Sequence, residues 1–228
     1  MMSSENPHFV VAIDGPAGAG KSTVARALAT RLGFTFLDTG ALYRTVALVA
    51  QGNQIPWDDG PRLGALAKAL EIVFVRDAER IRILADSRDV TDAIRRAEIS
   101  EGASKVSALP EVRAGLLDMQ RRVAAQANVV AEGRDIGTVV FPSAPAKFFL
   151  IANLEIRAQR RTLELQAAGR PSNLAEVLAD MRTRDARDSE RAVAPLRRAD
   201  DAIEIDSSLV TPEEVIERMA AIVRARGG

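Results

Sequence analysis

The feature that most constrains the fold is a glycine-rich segment near the start of the chain, between an apolar run and a helical pattern. Phe9 to Ile13 is apolar, Gly15 to Gly20 is glycine-rich, and Val24 to Leu32 has the apolar spacing of a helix. The segment also matches G-x-x-x-x-G-K-[ST], which Lys21 and Ser22 complete, so strand, loop and helix stand in the order of a phosphate-binding P-loop. A glycine-rich turn that only caps a helix would not require the apolar strand before it as well as the helix after it. The sequence therefore predicts a nucleoside triphosphate site.

Each part of this segment has a separate chemical reason. Glycines allow backbone N–H groups to turn inward around phosphate oxygens, and the helix that follows adds its free N–H groups and the positive end of its dipole. Lys21 supplies a point charge for the β- and γ-phosphates, and a hydroxyl of Ser22 or Thr23 can bind Mg²⁺. The residues assigned to triphosphate binding are Gly15, Pro16, Ala17, Gly18, Ala19, Gly20, Lys21, Ser22 and Thr23.

Short apolar runs alternate with helical patterns along much of the remaining chain. After the first strand, the predicted strands are Phe34 to Asp38, Val129 to Ala131, Lys147 to Ala152 and Ala202 to Ile205. Alternation of this kind favours an α/β fold, a five-stranded parallel sheet sandwiched by helices. In such sheets the ligand lies at the carboxyl ends of the strands.

One stretch breaks the alternation. Glu71 to Val75 and Arg80 to Leu84 are short, rich in β-formers and separated by four polar or small residues, which predicts a small antiparallel β-hairpin insert. A helix is predicted from Ile94 to Ala108, and another begins at Pro110. Near the end, Thr211, Pro212 and Glu214 form the pattern of a helix capping box.

Composition narrows the chemistry and the partners. Among 228 residues there is no cysteine, which excludes disulfides and thiolate metal sites, and the formal net charge of zero argues against a general nucleic-acid surface. The sequence contains no run of eighteen apolar residues, which a membrane-spanning helix would need. Met1 to Pro7 lacks the apolar core of a signal peptide. We therefore expect a cytoplasmic protein that binds neither membranes nor nucleic acid.

Arginines are concentrated where a ligand is expected. They include Arg44 and Arg134, which follow predicted strands, and Arg182, Arg184, Arg187 and Arg191 in a polar helical region over 173–188 and just beyond it. Guanidinium forks bind phosphate in a bidentate manner, so this concentration indicates a second, phosphorylated substrate. An acceptor that is itself a phosphate dianion needs no general base. The signatures of GTPase switches are absent from the sequence, which favours a kinase.

Four segments together resemble the signatures of bacterial cytidylate kinases. They are 14–23 (DGPAGAGKST), 37–44 (LDTGALYR), 132–142 (EGRDIGTVVFP) and 187–196 (RDSERAVAPL), in family order and spanning nearly the whole chain. The resemblance also covers the inserted hairpin. It implies transfer of the γ-phosphoryl group of ATP to CMP or dCMP, with Mg²⁺ present, as a step of pyrimidine nucleotide metabolism.

The resemblance further implies a role for individual residues. Thr39, Arg44 and Arg134 would hold the acceptor phosphate; Ser104, Arg113 and Asp135 would read cytosine; Asp188, with Arg184 or Arg191, would meet the sugar. Arg157 and Arg160 would join the ATP site as part of a lid. The catalytic set that follows comprises Lys21, Arg134, Arg184 and Arg191.

Simpler interpretations of these residues stand beside the functional ones. Arg44 could be a solvated helix arginine, and Ser104 a surface hydroxyl. Arg134 and Asp135 could pair only with each other, and the charges around Asp188 could form a solvated ladder along one helix.

As a whole, the sequence predicts a single P-loop kinase unit and a monomer. Its core would span about 8–40, 128–155 and 200–228, its monophosphate-binding part with the insert about 41–127, and its lid about 157–191. Two rivals remain. One is a kinase for another small acceptor, such as UMP, AMP or a metabolite hydroxyl; the other is a nucleotide-binding regulatory switch.

Overall fold

The computed structural model describes residues 8–76, 81–167 and 169–228. Within these ranges the strands are β1 (Val10–Asp14), β2 (Thr35–Asp38), β3 (Ile72–Arg76), β4 (Ile81–Ala85), β5 (Arg88–Asp89), β6 (Val129–Gly133), β7 (Ala146–Ile151) and β8 (Ile203–Asp206). The α-helices are α1 (Lys21–Leu32), α2 (Thr39–Gly52), α3 (Gly60–Ala69), α4 (Ala97–Val106), α5 (Pro110–Ala124), α6 (Leu154–Ala167), α7 (Leu174–Glu190) and α8 (Pro212–Ala225).

The larger sheet is parallel and has five strands in the order β2-β6-β1-β7-β8, as the sequence predicts. Its central strand, β1, is buried along its whole length because helices cover both faces of the sheet. β1 pairs with β6 in a register that sets Asp14 opposite Gly133. The segments that leave these two strands, the P-loop and the stretch beginning at Arg134, therefore start side by side at one edge.

Helix α8 begins where the sequence predicts, and its cap has the expected form. The Thr211 hydroxyl accepts from the Glu214 N–H, and the Glu214 carboxylate accepts from the Thr211 N–H. Arg31 of α1 pairs with two carboxylates of α8, those of Glu213 and Glu217, which links the two helices across their surface. No helix among the described residues has the length and apolar composition needed to cross a bilayer.

The chain divides into two units. One comprises the described residues up to Leu37 together with those of Arg121–Gly228, and the other comprises the described residues of Asp38–Gln120. The second unit has its own apolar core, in which buried side chains of α2 pack with those of α3, α4 and α5.

The predicted hairpin is present in the second unit. β3 and β4 pair antiparallel over Ile72↔Ala85 to Arg76↔Ile81, and a short strand that the sequence analysis did not predict, β5, extends the sheet to three strands. The turn was predicted at 76–79; Arg76 instead ends β3, and the remaining three residues lie outside the described ranges.

The prediction of one continuous helix over Ile94 to Ala108 is wrong. A short 3₁₀ turn, Ala93–Arg95, precedes α4, and Arg96 between them is extended, with φ −62° and ψ 149°. The apolar spacing of the two pieces looks continuous in sequence, but an extended residue interrupts the helical hydrogen bonds. A single π-helical turn, Ile136–Val140, was also not predicted.

Candidate functional site

The P-loop connects β1 to α1 with glycines where the backbone requires them. Gly15 has φ +147°, and a Cβ there would lie 2.0 Å from the carbonyl oxygen of Leu150 in β7. Gly18 and Gly20 also have positive φ, +74° and +86°, the left-handed conformation that side chains disfavour. These three residues give the loop its tight path around the position of a phosphate group.

Lys21 lies at the start of α1 and is buried, with 5% of its surface exposed. Its Nζ donates to the carbonyl oxygen of Pro16 at 2.7 Å, so the side chain folds back over the loop. Burial, and then repulsion from the Arg134 guanidinium, lower the pKa of Lys21 to about 7, although Glu132 acts in the opposite direction. A triphosphate would favour the charged ammonium and reverse this balance.

Two arginines that the sequence assigns to the ATP site contact the protein around the P-loop. Arg157 donates to the carbonyl oxygen of Ala17 at 2.9 Å and pairs with Asp185 of α7 at 2.7 Å. Arg160 donates to the carbonyl oxygen of Ser207 at 2.6 Å. The Ser207 hydroxyl in turn donates to the carbonyl oxygen of Ala19 at 3.0 Å. Both therefore help to fix the loop, and their contact with ATP stays a prediction.

The end of β6 carries a buried group of charges. Arg134 donates to Asp188 of α7 at 2.8 Å, and Asp135 lies 3.6 Å from Arg191. Burial raises the pKa of Asp188, but the positive charges of Arg134, Arg184 and Arg191 outweigh it and hold the pKa below its usual value. The structure thus brings five predicted site residues of this unit together.

Two of the simpler interpretations are wrong for this group. Arg134 and Asp135 do not pair only with each other, because each has a partner on or just after α7. The charges around Asp188 are not a solvated ladder, because Asp188 is 4% exposed and paired across the fold.

The second unit holds the remaining predicted acceptor residues. Thr39, Ser104 and Arg113 are buried. Arg113 lies over the Tyr43 ring, 5.6 Å from its centroid, and donates to the carbonyl oxygen of Ser107 at 3.1 Å. Since Ser104 is buried in α4, its interpretation as a surface hydroxyl is wrong.

Arg44 is not a solvated helix arginine either. It lies on α2 and pairs with Asp38 at 2.8 Å, while the other carboxylate oxygen of Asp38 accepts from the Ala41 N–H and so caps the helix. Asp38 thus orients Arg44 and starts the helix that carries it. Its role was missed, although an aspartate that ends a strand directly before a helical segment is a recognisable N-cap signal.

The hydroxyls of Ser22 and Thr23 fit a role as Mg²⁺ ligands. Both residues lie in the first turn of α1 and are exposed, so an ion held mostly by phosphates and water could reach either oxygen. A bound Mg²⁺ would neutralise charge on the phosphates.

A further missed residue is Asp14, the last of β1. Its carboxylate is 4% exposed and accepts from two consecutive backbone groups, the N–H of Ile136 and that of Gly137, each at 2.7 Å. Burial raises the pKa of Asp14 to about 6, although the two N–H donors act against it. A charged residue that ends an otherwise apolar buried strand was the available signal, but the sequence alone does not identify its partners.

Comparison with known proteins finds similar sequences over nearly the whole chain. A sequence model of the family described as cytidylate kinase matches residues 11–225. The chain is 52% identical over 218 residues to a cytidylate kinase of Geobacter sulfurreducens, covering 96% of this chain and 94% of that one. It is 48% identical over 222 residues to a cytidylate kinase of Stutzerimonas stutzeri, covering 96% and 97%.

Among solved structures, an uncharacterized protein of Eubacterium ventriosum is similar in fold, with a TM-score of 0.53. The identity is 11%, and the superposition covers 96% of this chain and 99% of that one.

Proposed function

The chain belongs to the cytidylate kinase family, and we propose that it transfers the γ-phosphoryl group of ATP to CMP or dCMP, giving CDP or dCDP. The observation that carries the proposal is the pairing of β1 with β6. It sets a P-loop with a buried lysine beside a group of arginines and aspartates, of which Asp135, Asp188 and Arg191 are buried. A donor phosphate site thus adjoins a second site suited to an anion that also bears hydrogen-bond donors.

The chemistry follows from these charges. The acceptor phosphate is a dianion and attacks directly in line, so the protein supplies position and positive charge rather than a base. Lys21 stabilises charge on the transferred group. Arg134, Arg184 and Arg191 neutralise the repulsion between donor and acceptor phosphates, and Asp188 orients Arg134.

The base is selected by hydrogen-bond polarity. An ionised Asp135 accepts from the 4-amino group of cytosine and repels the 4-carbonyl group of uracil. The residues assigned to the acceptor by resemblance keep their proposed roles: Ser104 and Arg113 as donors for the base, and Thr39 and Arg44 for the acceptor phosphate. Asp188 accepts from the sugar.

The proposal also covers the metal ion, the lid, the parts of the chain and the assembly state. Mg²⁺ accompanies ATP, with Ser22 or Thr23 among its ligands, and Arg157 and Arg160 belong to a lid over about 157–191 that excludes water from ATP. The core spans about 8–40, 128–155 and 200–228, and the monophosphate-binding part about 41–127. The protein acts as a cytoplasmic monomer.

The proposal is tested by ADP release from ATP and Mg²⁺ in the presence of single nucleoside monophosphates. We expect CMP and dCMP to accelerate release strongly, and UMP, AMP and GMP to do so much less. Acceleration by AMP or by a metabolite hydroxyl alone would identify another kinase. Tight ADP retention with no acceptor-dependent turnover would identify a regulatory switch.

Arg44→Lys should raise the KM for CMP at least about tenfold, equivalent to roughly 1.4 kcal/mol, and leave ATP affinity unchanged. Lysine keeps the charge but loses the guanidinium fork that binds phosphate in a bidentate manner. Steady-state kinetics with each substrate varied in turn measure both effects.

The matched control is Arg31→Lys, at an arginine that also pairs with carboxylates but lies on the surface between α1 and α8. It should leave both KM values unchanged. If Arg44→Lys behaves like this control, Arg44 only supports α2 and the acceptor phosphate binds elsewhere.

A further inference from the structure

Asp14 lies between the two parts of the site in the first unit without belonging to either. It immediately precedes Gly15 of the P-loop, and in the sheet it stands opposite Gly133, the residue before Arg134. Its two carboxylate oxygens are both used, one for the N–H of Ile136 and one for that of Gly137. These N–H groups open the π-helical turn Ile136–Val140.

Asp135, the residue proposed to read the base, immediately precedes the π-helical turn. The carbonyl oxygen of Asp135 accepts from the N–H groups of Val139 and Val140, at 2.9 and 3.1 Å. The backbone that carries the Asp135 carboxylate is therefore one end of the turn that Asp14 holds. A movement of Ile136 or Gly137 away from Asp14 would move Asp135 with it.

The far end of the turn is held as well. Arg121 donates to the carbonyl oxygens of Val139 and Val140, both at 3.1 Å. The buried Lys147 of β7 donates to the carbonyl oxygen of Pro142 at 2.5 Å and pairs with Asp201.

Little space is left inside the turn. A Cβ on Gly137 would lie 3.1 Å from the Lys147 side chain and 3.4 Å from the Asp14 carboxylate. Side chains from β1 and β7 thus confine the turn. The Asp14 carboxylate is buried there despite the free-energy cost of its desolvation.

We infer that Asp14 is a positioning residue that fixes Asp135 and Arg134 relative to the P-loop by binding the first two N–H groups of the π-helical turn. In this role Asp14 acts through the backbone of the turn, by way of its bonds to Ile136 and Gly137. It holds the base-reading carboxylate at a constant distance from the loop that binds the donor phosphates. The inference rests on the proposed function for its effect on catalysis, since a misplacement of about 1 Å can cost two orders of magnitude in rate.

The test uses two variants of the full chain. Asp14→Asn keeps the size of the side chain but offers one acceptor where two N–H groups need one each, so one buried N–H loses its partner. Gly137→Ala disturbs the same turn without changing any charge. It therefore separates the position of the turn from the electrostatic attraction between Asp14 and Lys21. Asp59→Asn is the control, because Asp59 also accepts from a backbone N–H but lies at the partly exposed start of α3.

The first readout needs no nucleotide. Hydrogen exchange of the free protein should become at least about tenfold faster over 136–140 in Asp14→Asn and stay unchanged in Asp59→Asn. Unchanged exchange over this turn in Asp14→Asn would overturn the inference, whatever the enzyme's substrate proves to be.

The second readout is the ratio of kcat/KM for CMP to kcat/KM for UMP. We expect it to fall at least about fivefold in Asp14→Asn and about threefold in Gly137→Ala, while the Kd for ATP changes less than about threefold. A ratio within twofold of wild type in both variants would overturn the inference, and if Asp14→Asn does not fold, Gly137→Ala decides alone. A wild-type protein that accepts no pyrimidine monophosphate would refute the proposed function instead, and hydrogen exchange would still test the link from Asp14 to the turn.

Discussion

Lys21→Met is expected to reduce kcat by roughly 10²- to 10³-fold, or about 3–4 kcal/mol, while the protein remains folded. The ammonium is buried at the start of α1 and folds over the loop that would hold the γ-phosphate. There it stabilises charge that develops as the phosphoryl group moves, and methionine fills a similar volume without that charge. Single-turnover kinetics at saturating ATP and CMP measure the effect.

Lys68→Met on α3 is the control, and it should leave kcat unchanged. A Lys21→Met enzyme that retains more than a tenth of the wild-type kcat would show that the loop binds nucleotide without stabilising the transfer.

The lowered pKa of Lys21 gives a second, independent readout of the same residue. With a pKa of about 7, part of the population is neutral at pH 7.5 in the free protein. ATP should raise the pKa and draw in a proton, so ATP binding should be accompanied by proton uptake and should weaken as the pH rises above 7. Calorimetry in buffers of different ionisation enthalpy measures this uptake, and Lys21→Met should abolish it.

Asp135→Asn should lower kcat/KM for CMP and reduce the CMP/UMP ratio of kcat/KM at least about tenfold, equivalent to 1.4 kcal/mol. An ionised carboxylate attracts the 4-amino group of cytosine and sets lone pair against lone pair with the 4-carbonyl group of uracil. An amide can present either its oxygen or its NH₂, so much of this discrimination should disappear.

The competing interpretation is that Asp135 serves only as a partner for Arg191, 3.6 Å away. Loss of that ion pair would lower kcat/KM for CMP and for UMP by the same factor. An unchanged CMP/UMP ratio in Asp135→Asn, with Asp59→Asn as the control for the substitution itself, would therefore remove Asp135 from the base site.

The P-loop could be predicted from the sequence because its information is local. Gly15, Gly20 and Lys21 lie within seven residues, and the strand and helix on either side have clear apolar periods. The parallel sheet could also be predicted from local information. β1 and β6 are short, continuous apolar runs, which are typical of strands buried on both faces of a sheet.

Features that depend on contacts between distant residues could not be predicted. Asp14 binds Ile136, 122 positions along the chain, and no local pattern marks that pair. Arg157 was expected to contact ATP, but whether its fork is aimed at a phosphate or at the carbonyl oxygen of Ala17 depends on how α6 packs. The break at Arg96 was missed because the apolar residues on either side keep one continuous helical spacing.

The central claim is that the γ-phosphoryl group of ATP is transferred directly to a cytidine monophosphate. It is tested most directly by incubating the protein with Mg²⁺, CMP and ATP labelled with ³²P at the γ-position, and by separating the products. We predict that the label appears in CDP, with one ADP formed for each CDP. Label found only in inorganic phosphate, or ADP formation that is unaffected by CMP, would contradict the account.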